Sequence, residues 1–261
     1  MTQENSIGKP LADSKWLENH HYAKLNERTA FAKRIAEYHP KKIVDLGCAT
    51  GLWLELLNGI LSDDCIFIGI DSDPKSLNVA KRRSKDWKRK TEYMLLDIEK
   101  DANLIPSADL TLAFNIFPYI EDLDSFLLKL SNRKPKGTLI VRQYDGASIR
   151  FGPMATETRQ KIEADLRLST QYSSKFRHYD LDRAFCALKK SNYNNMNYDF
   201  ELFKRISPFD DAFFPYYYGM IEWTIQHISE SSASFLNEWL HEKPEPKERY
   251  FLEVDLIAIL S

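Results

Sequence analysis

Residues 43–51, Ile-Val-Asp-Leu-Gly-Cys-Ala-Thr-Gly, constrain the fold of this chain more than any other segment. A short β-branched run, Ile43-Val44, enters a turn carrying Asp45, Gly47 and Gly51, and an amphipathic stretch with Leu52, Trp53, Leu56 and Leu57 follows. Strand, tight turn and helix in that order let an α/β sheet offer bare backbone and a helix start to a nucleotide-like ligand. Small side chains at 47, 49 and 51 permit close approach, and glycine accepts dihedrals that other residues resist. The next apolar run, Cys65-Ile-Phe-Ile-Gly-Ile, ends in Asp71, twenty residues beyond Gly51. A carboxylate there can accept both hydroxyls of a ribose.

The spacing separates two nucleotide readings. A dinucleotide fingerprint requires Gly-x-Gly-x-x-Gly, whereas the register here is Gly47-x-Ala49-x-Gly51, with Leu at 52. With Asp45 ahead of it, this segment resembles motif I of the class I S-adenosylmethionine-dependent methyltransferases, in their small-molecule branch. It departs from that family at Ala49, where glycine is usual. The resemblance implies an α/β fold with a doubly wound, mostly parallel, seven-stranded Rossmann-like sheet, S-adenosyl-L-methionine as cofactor, and methyl transfer. It assigns Asp45, Gly47, Cys48, Ala49, Gly51, Asp71 and Ser72 to the cofactor. Asp97 and Ile98, closing the third strand, carry over to the adenine, and Asn115, after Ala113 and Phe114, to the methionine part. The resemblance runs motif by motif over 41–143 and beyond that only as a fold pattern. The bland alternatives are a βα turn without ligand and, for Asp97, a turn cap.

Apolar positions recur at helical spacing over 13–38, after a loose tail at 1–12, and His39-Pro40 ends that helical segment. Strand-like runs lie at 43–46, 66–70, 93–96, 109–114, 138–143, 196–203 and 251–260, with helical stretches at 52–60, 74–86, 123–132 and 180–191. This alternation predicts a mostly parallel sheet. The chain therefore divides as a single domain over 1–261: a helical segment at 13–40, a cofactor core at 41–145, and two long stretches at 146–177 and 208–247. Connections of that length carry function or their own structure, and both are expected to form a helical cap over the substrate site.

Composition narrows the function classes. A net charge of −2 gives no global attraction to nucleic acid or anionic membrane. No run approaches twenty apolar residues, and the N-terminus has no secretory h-region. Cys48, Cys65 and Cys186 show no metal-ligand spacing, so a cytoplasmic protein with reduced thiols and no metal is expected. The basic stretch at 81–90 resembles a phosphate-binding patch, but a solvated helix exit accounts for it more simply. Asn115-Ile-Phe-Pro118-Tyr119 lacks the proline directly after the asparagine that amide- and nucleobase-directed methyltransferases carry, which disfavours those acceptors.

Three residues are candidates for the acceptor side. Arg142, closing the fifth strand, can hold a carboxylate in bidentate fashion or form a salt bridge. His178 is the general-base candidate because its ordinary pKa lies near neutrality. Tyr217 sits in the dense aromatic run around 209–218 and can wall an organic substrate. The leading expectation is methyl transfer to a small carboxylate-bearing or aromatic metabolite. RNA or protein methylation and a non-catalytic cofactor-binding regulator are the alternatives, and the oligomeric state stays open.

Overall fold

The computed structural model describes residues 4–5, 8–9, 11–133, 137–241 and 248–261. Five parallel strands form its centre: β1 (Lys42–Leu46), β2 (Ile66–Asp71), β3 (Thr91–Leu95), β4 (Leu110–Phe114) and β5 (Thr138–Tyr144). Their order is β3-β2-β1-β4-β5, so the chain reverses direction across the sheet between β1 and β4, and a crevice opens beyond their carboxyl ends. Beside β5 runs β8 (Tyr250–Leu260), antiparallel to it and to the edge strand β7 (Met196–Ile206). The three-residue β6 (Arg150–Gly152) pairs with the start of β8. The sheet thus has eight strands rather than seven, because β6 is too short to show a period.

Helices cover both faces. On one lie α2 (Leu25–Ala36), α3 (Leu52–Asn58) and α4 (Pro74–Arg83), where Phe31, Ile35, Leu54, Leu57 and Leu77 meet Ile43, Phe67, Leu112 and Ile140. On the other lie α5 (Leu123–Ser131) and α7 (Leu181–Lys190), packed on Val44, Ile70, Val141 and Leu256. Strands buried on both faces are near-continuous apolar runs, as the central strands are. Starts are set by side chains: Asp73 accepts from the Lys75 and Ser76 amides at 3.0 Å ahead of Pro74, and Asp122 caps α5 through the Ser125 amide at 3.0 Å.

The segment expected as one helix over 13–38 is two, α1 (Ser14–Ala23) and α2, broken at Lys24. Lys24 leaves helical geometry (φ −115°, ψ 20°) and its ammonium pairs with buried Glu253 of β8. Nor is the tail loose where it is described. Lys9 is buried, with its ammonium on the Arg177 carbonyl, and the Asn5 amide donates to the Tyr119 carbonyl at 3.1 Å.

The two long stretches contain α6 (Thr156–Tyr172), α8 (Phe214–Ile225) and α9 (Glu230–His241), and their inner sides share one apolar core. Ile162 and Leu166 of α6 meet Tyr217, Met220 and Ile221 of α8, Leu236 and Trp239 of α9, and Phe251 of β8. Fully burying a side chain of this size contributes about 1.5–3 kcal/mol, so this second core helps to hold the insertions against the sheet. Trp16 of α1 joins it at Gly219, where an added Cβ would come within 2.5–3.1 Å of the indole. Residues 242–247 of the second stretch lie outside the described residues.

Candidate active site

The turn after β1 adopts left-handed backbone at alternate positions, with φ +66° at Gly47, +46° at Ala49 and +78° at Gly51. Each requirement has a separate cause. A Cβ at Gly47 would collide with the Ile116 side chain from the loop after β4. At Gly51 it would lie 3.2 Å from Ala80 Cβ, pressing α3 off α4. Ala49 carries its Cβ in the same dihedral region at a cost of roughly 1–2 kcal/mol. The turn is tied to β2 by the Cys48 amide, which donates to the Ile70 carbonyl at 2.9 Å.

Asp71 closes that tie. Its Oδ2 accepts from the Ala49 amide and its Oδ1 from the Asp73 amide, each at 2.8 Å. Backbone donors thus orient the carboxyl, and each oxygen keeps a further lone pair for a ligand hydroxyl. Asp45 lies beneath, 3% exposed, and burial, then the neighbouring Asp71, push its carboxyl up to about 8. It is protonated at neutral pH. Cys48 is buried between Gly69 and Tyr93, and burial first, then Asp45 and Asp71, drive its thiol well above the usual range. Such a thiol is a packing group, not a nucleophile. Ser72 is exposed beside Asp71.

Asp97 caps the turn that follows β3, its Oδ1 accepting from the Glu99 and Lys100 amides at 3.1 and 3.3 Å, while Ile98 packs on the adjoining core. Asn115 follows β4 at φ +55°, donating from its amide to the Arg142 carbonyl at 2.8 Å and accepting from the Tyr144 amide at 3.1 Å. It therefore fixes the ends of β4 and β5 together. Beside it stand three phenols: Tyr119 and Tyr179 are 3.3 Å apart at their hydroxyls, and the Tyr144 and Tyr179 rings are 5.5 Å apart. Burial raises all three above the ordinary phenol range, so they stay protonated donors.

The carboxyl edge of this sheet thus gathers a small-residue turn, a ribose-competent acid and a ring of hydroxyls. Residues 39–201, more than half the chain, match the family model described as a methyltransferase domain. The chain belongs to the class I S-adenosylmethionine-dependent methyltransferases. Its fold is similar to the YcgJ protein of Bacillus subtilis, at 13% identity over 90% of this chain and 98% of that one, with a TM-score of 0.54. A putative methyltransferase of Bacillus halodurans C-125 matches 89% of this chain and 97% of its own at 12% identity and TM-score 0.55. A carboxy-S-adenosyl-L-methionine synthase of Trichodesmium erythraeum is 45% identical over 49 residues, which span 18% of this chain and 19% of that relative. Among the described residues of this methyltransferase, no helix is long and apolar enough to cross a membrane.

S-adenosylmethionine is the cofactor. It supplies an electrophilic methyl group, and the acceptor-only carboxylate of Asp71 beside a turn of small residues fits its ribose. The acceptor-side candidates stand apart from one another. Arg142, 3% exposed, lies against Asp255 (Nε–Oδ2 2.7 Å, Nη2–Oδ2 2.6 Å) and Glu201 (Nη1–Oε2 2.7 Å), so its fork is already paired within the protein. Tyr217, 1% exposed, packs among Phe151, Phe209, Phe213 and Phe251 in the insertion core. His178 approaches Glu121 at 3.4 Å, yet burial and the charges of Arg183 and Lys9 hold its imidazole down to about 4. Within the basic stretch, Arg83 is paired with Glu55 and Glu18, and Arg89 is buried on the carbonyls of Asn58, Leu61 and Ser62.

Sequence reasoning passed over an ionic layer between α1–α2 and the β5–β8–β7 end of the sheet. Lys24 pairs with Glu253, to which the Tyr216 hydroxyl also donates, and Arg142 pairs with Asp255 and the half-buried Glu201, while Arg28 lies within the field of Asp255 and Arg142. The signal available was i, i+4, i+8 spacing of His20, Lys24 and Arg28 on a helix otherwise expected to be apolar on that face. Their partners lie far along the chain.

Proposed function

We propose that this methyltransferase transfers the cofactor's methyl group to a small metabolite bearing a carboxylate or an aromatic ring. The observation that carries the reading is the shared core of the two insertions, which joins α1 to α6, α8 and α9 beside the carboxyl edge. On this reading the insertions close a chamber over the acceptor, and a closed chamber suits a small acceptor better than a polymer, which needs an open groove. Transfer from a sulfonium is an in-line displacement, so holding acceptor and methyl in one line supplies much of the acceleration.

The polar groups narrow the acceptor further. His178, unprotonated at neutral pH but with a conjugate acid near 4, is a weak base. An acceptor already bare at its nucleophilic atom, a carboxylate or a neutral amine, fits such a site better than an alcohol. On this reading the turn residues 47–51, Asp71 and Ser72 line the adenosine side, Asp97 and Ile98 the adenine, and Asn115 the methionine side. The stretches 146–177 and 208–247 close over the acceptor.

The test is a cell extract supplied with methyl-labelled cofactor and separated by size. Label in the small-molecule fraction is expected. Label found mainly in RNA or protein would replace this reading with macromolecular modification, and cofactor binding with no transfer to any fraction would favour a regulatory protein.

A further inference from the structure

The edge strand β7 leaves large apolar side chains in water. Phe200, Leu202 and Ile206 are 58%, 52% and 72% exposed, and their even spacing puts all three on one face of the strand. Tyr198 shares that face but is covered by Phe185 of α7, with ring centres 5.0 Å apart. The cover stops there. Val254 and Leu252 of β8, in register with Leu202 and Lys204, are half-buried beside the exposed three. On the opposite face Glu201 meets Arg142, Phe203 is buried and Arg205 meets Glu27 at 2.7 Å.

The backbone edge is open as well. Asn195 and Ser261 exchange both amide–carbonyl bonds at 3.0 Å, and the Ser207 amide donates to the Arg249 carbonyl at 2.8 Å. Odd-numbered residues of β7 therefore turn their backbone groups to β8, and even-numbered ones turn theirs outward. Among the described residues no strand other than β8 pairs with β7. Proteins blunt such an edge with proline, a bulge or a covering element. This one holds no proline over 196–206, and its register with β8 is unbroken from Met196 to Ile206. A long, regular, apolar edge is a template for another strand.

We propose that β7 is the interface between two copies of this chain, joined antiparallel about a two-fold axis at Leu202 into one continuous sheet. The strand is self-complementary in that register. Leu202 meets Leu202 of the second copy, Tyr198 meets Ile206, and the alkyl stem of Lys204 covers Phe200. Charge agrees. Asp199, exposed and without an ion partner among the described residues, comes opposite Arg205, whose guanidinium reaches this edge and donates to the Lys204 carbonyl at 2.9 Å. Sliding the copies by two residues one way sets Glu201 against itself. Sliding them the other way shortens the ladder from 198–206 to 200–206. A slip of one residue turns the apolar face away from its match.

Sedimentation velocity on the full chain tests this at tens of micromolar, where a dimer is expected. Leu202→Lys sets two ammonium groups together on the axis, and Asp199→Lys sets one against Arg205 at each end. Each should weaken the dimer by at least about tenfold, while Leu168→Lys, an exposed site on α6, should leave it intact. Register is read separately in a Cys186→Ser background, which removes the exposed native thiol. There Leu202→Cys should cross-link under copper–phenanthroline oxidation, since residues paired on the axis have Cα atoms about 5.5 Å apart. Phe200→Cys should not, because its two copies lie too far apart to bridge. The cross-link carries the test if Leu202→Lys does not fold. A monomer at these concentrations would overturn the proposal and leave the edge to a different partner. A dimer that survives both lysine variants of β7, or that Leu168→Lys breaks instead, would overturn it by placing the interface on another face.

Discussion

The cofactor turn and the β5–β8–β7 end of the sheet handle buried charge in opposite ways. Around the cofactor turn, Asp71 is oriented by two backbone amides and Asp45 is held protonated, with no cation paired to either among the described residues. At the β5–β8–β7 end of the sheet, cations from β5 and the α1–α2 junction meet carboxylates from β7 and β8. Backbone donors come from the loop itself, so that arrangement survives wherever the β1–turn–α3 sequence folds. Side-chain pairs across the sheet require the whole tertiary structure. The cofactor turn is therefore a local device, and the ionic layer is a long-range one.

The sharpest way to break this contrast is to remove one charge from the long-range side. Lys24→Met leaves Glu253 buried and deprived of its cation, and breaking such a pair costs about 3–5 kcal/mol. Urea unfolding should show that loss, and the double variant Lys24→Met/Glu253→Gln should recover a good part of it. A loss below about 1 kcal/mol, the value of an exposed pair, would mean that water reaches the layer.

The same contrast explains what could be read in advance. The turn, Asp71 and the run of parallel strands were legible because strand, small-residue turn and helix follow one another within a few residues. Ala49 was a visible departure, and its left-handed φ shows that the position still demands what glycine does best. The ionic layer was not legible. Arg142 is 113 residues from Asp255, and Lys24, where the first helix breaks, pairs with Glu253 more than 200 positions away. Helical periodicity runs through Lys24 undisturbed, so neither the break nor its tertiary partner is visible in the local pattern. Tyr217 illustrates the converse: an aromatic run suits a pocket wall and an interior equally, and packing against Phe213 and Phe251 placed it in the insertion core.

On the local side, the expected effect falls on binding more than on folding. Asp71→Ala removes a charged acceptor and should weaken S-adenosylhomocysteine by about 1.5–3 kcal/mol, measured by calorimetry with the fold checked by circular dichroism. Unchanged affinity would take the ribose away from Asp71.

Asp45 gives the local side a signature in pH. Its unfolded carboxyl ionises near 3.8 and its folded one near 8, raised by burial and then by Asp71. Between those values the folded protein holds a proton that the unfolded chain has released. The stability contributed by this group is full below about 4 and drains away as pH rises to about 8, by at most about 1.4 kcal/mol per pH unit. Asp45→Asn cannot titrate, so its melting temperature should fall less than that of the original protein between pH 5.5 and 8. Parallel curves for the two proteins would mean that Asp45 is ionised in the fold and finds a cation or strong donor there.

The smallest effect tests whether the turn is strained by its own sequence. Ala49 sits at φ +46°, where an L-residue costs roughly 1–2 kcal/mol relative to its right-handed form, while glycine adopts that region freely at the expense of more unfolded-state entropy. The two terms oppose each other, and the first is the larger at this dihedral. Ala49→Gly should therefore stabilise the protein by about 0.5–1 kcal/mol, read as a higher urea midpoint with an unchanged denaturant slope. Because the Ala49 amide donates to Asp71, the same variant should leave cofactor affinity within about twofold, provided that the turn keeps its shape. If Ala49→Gly instead destabilises the protein, the alanine methyl packs usefully enough to outweigh its dihedral, and the cofactor turn depends on side-chain contacts as the ionic layer does.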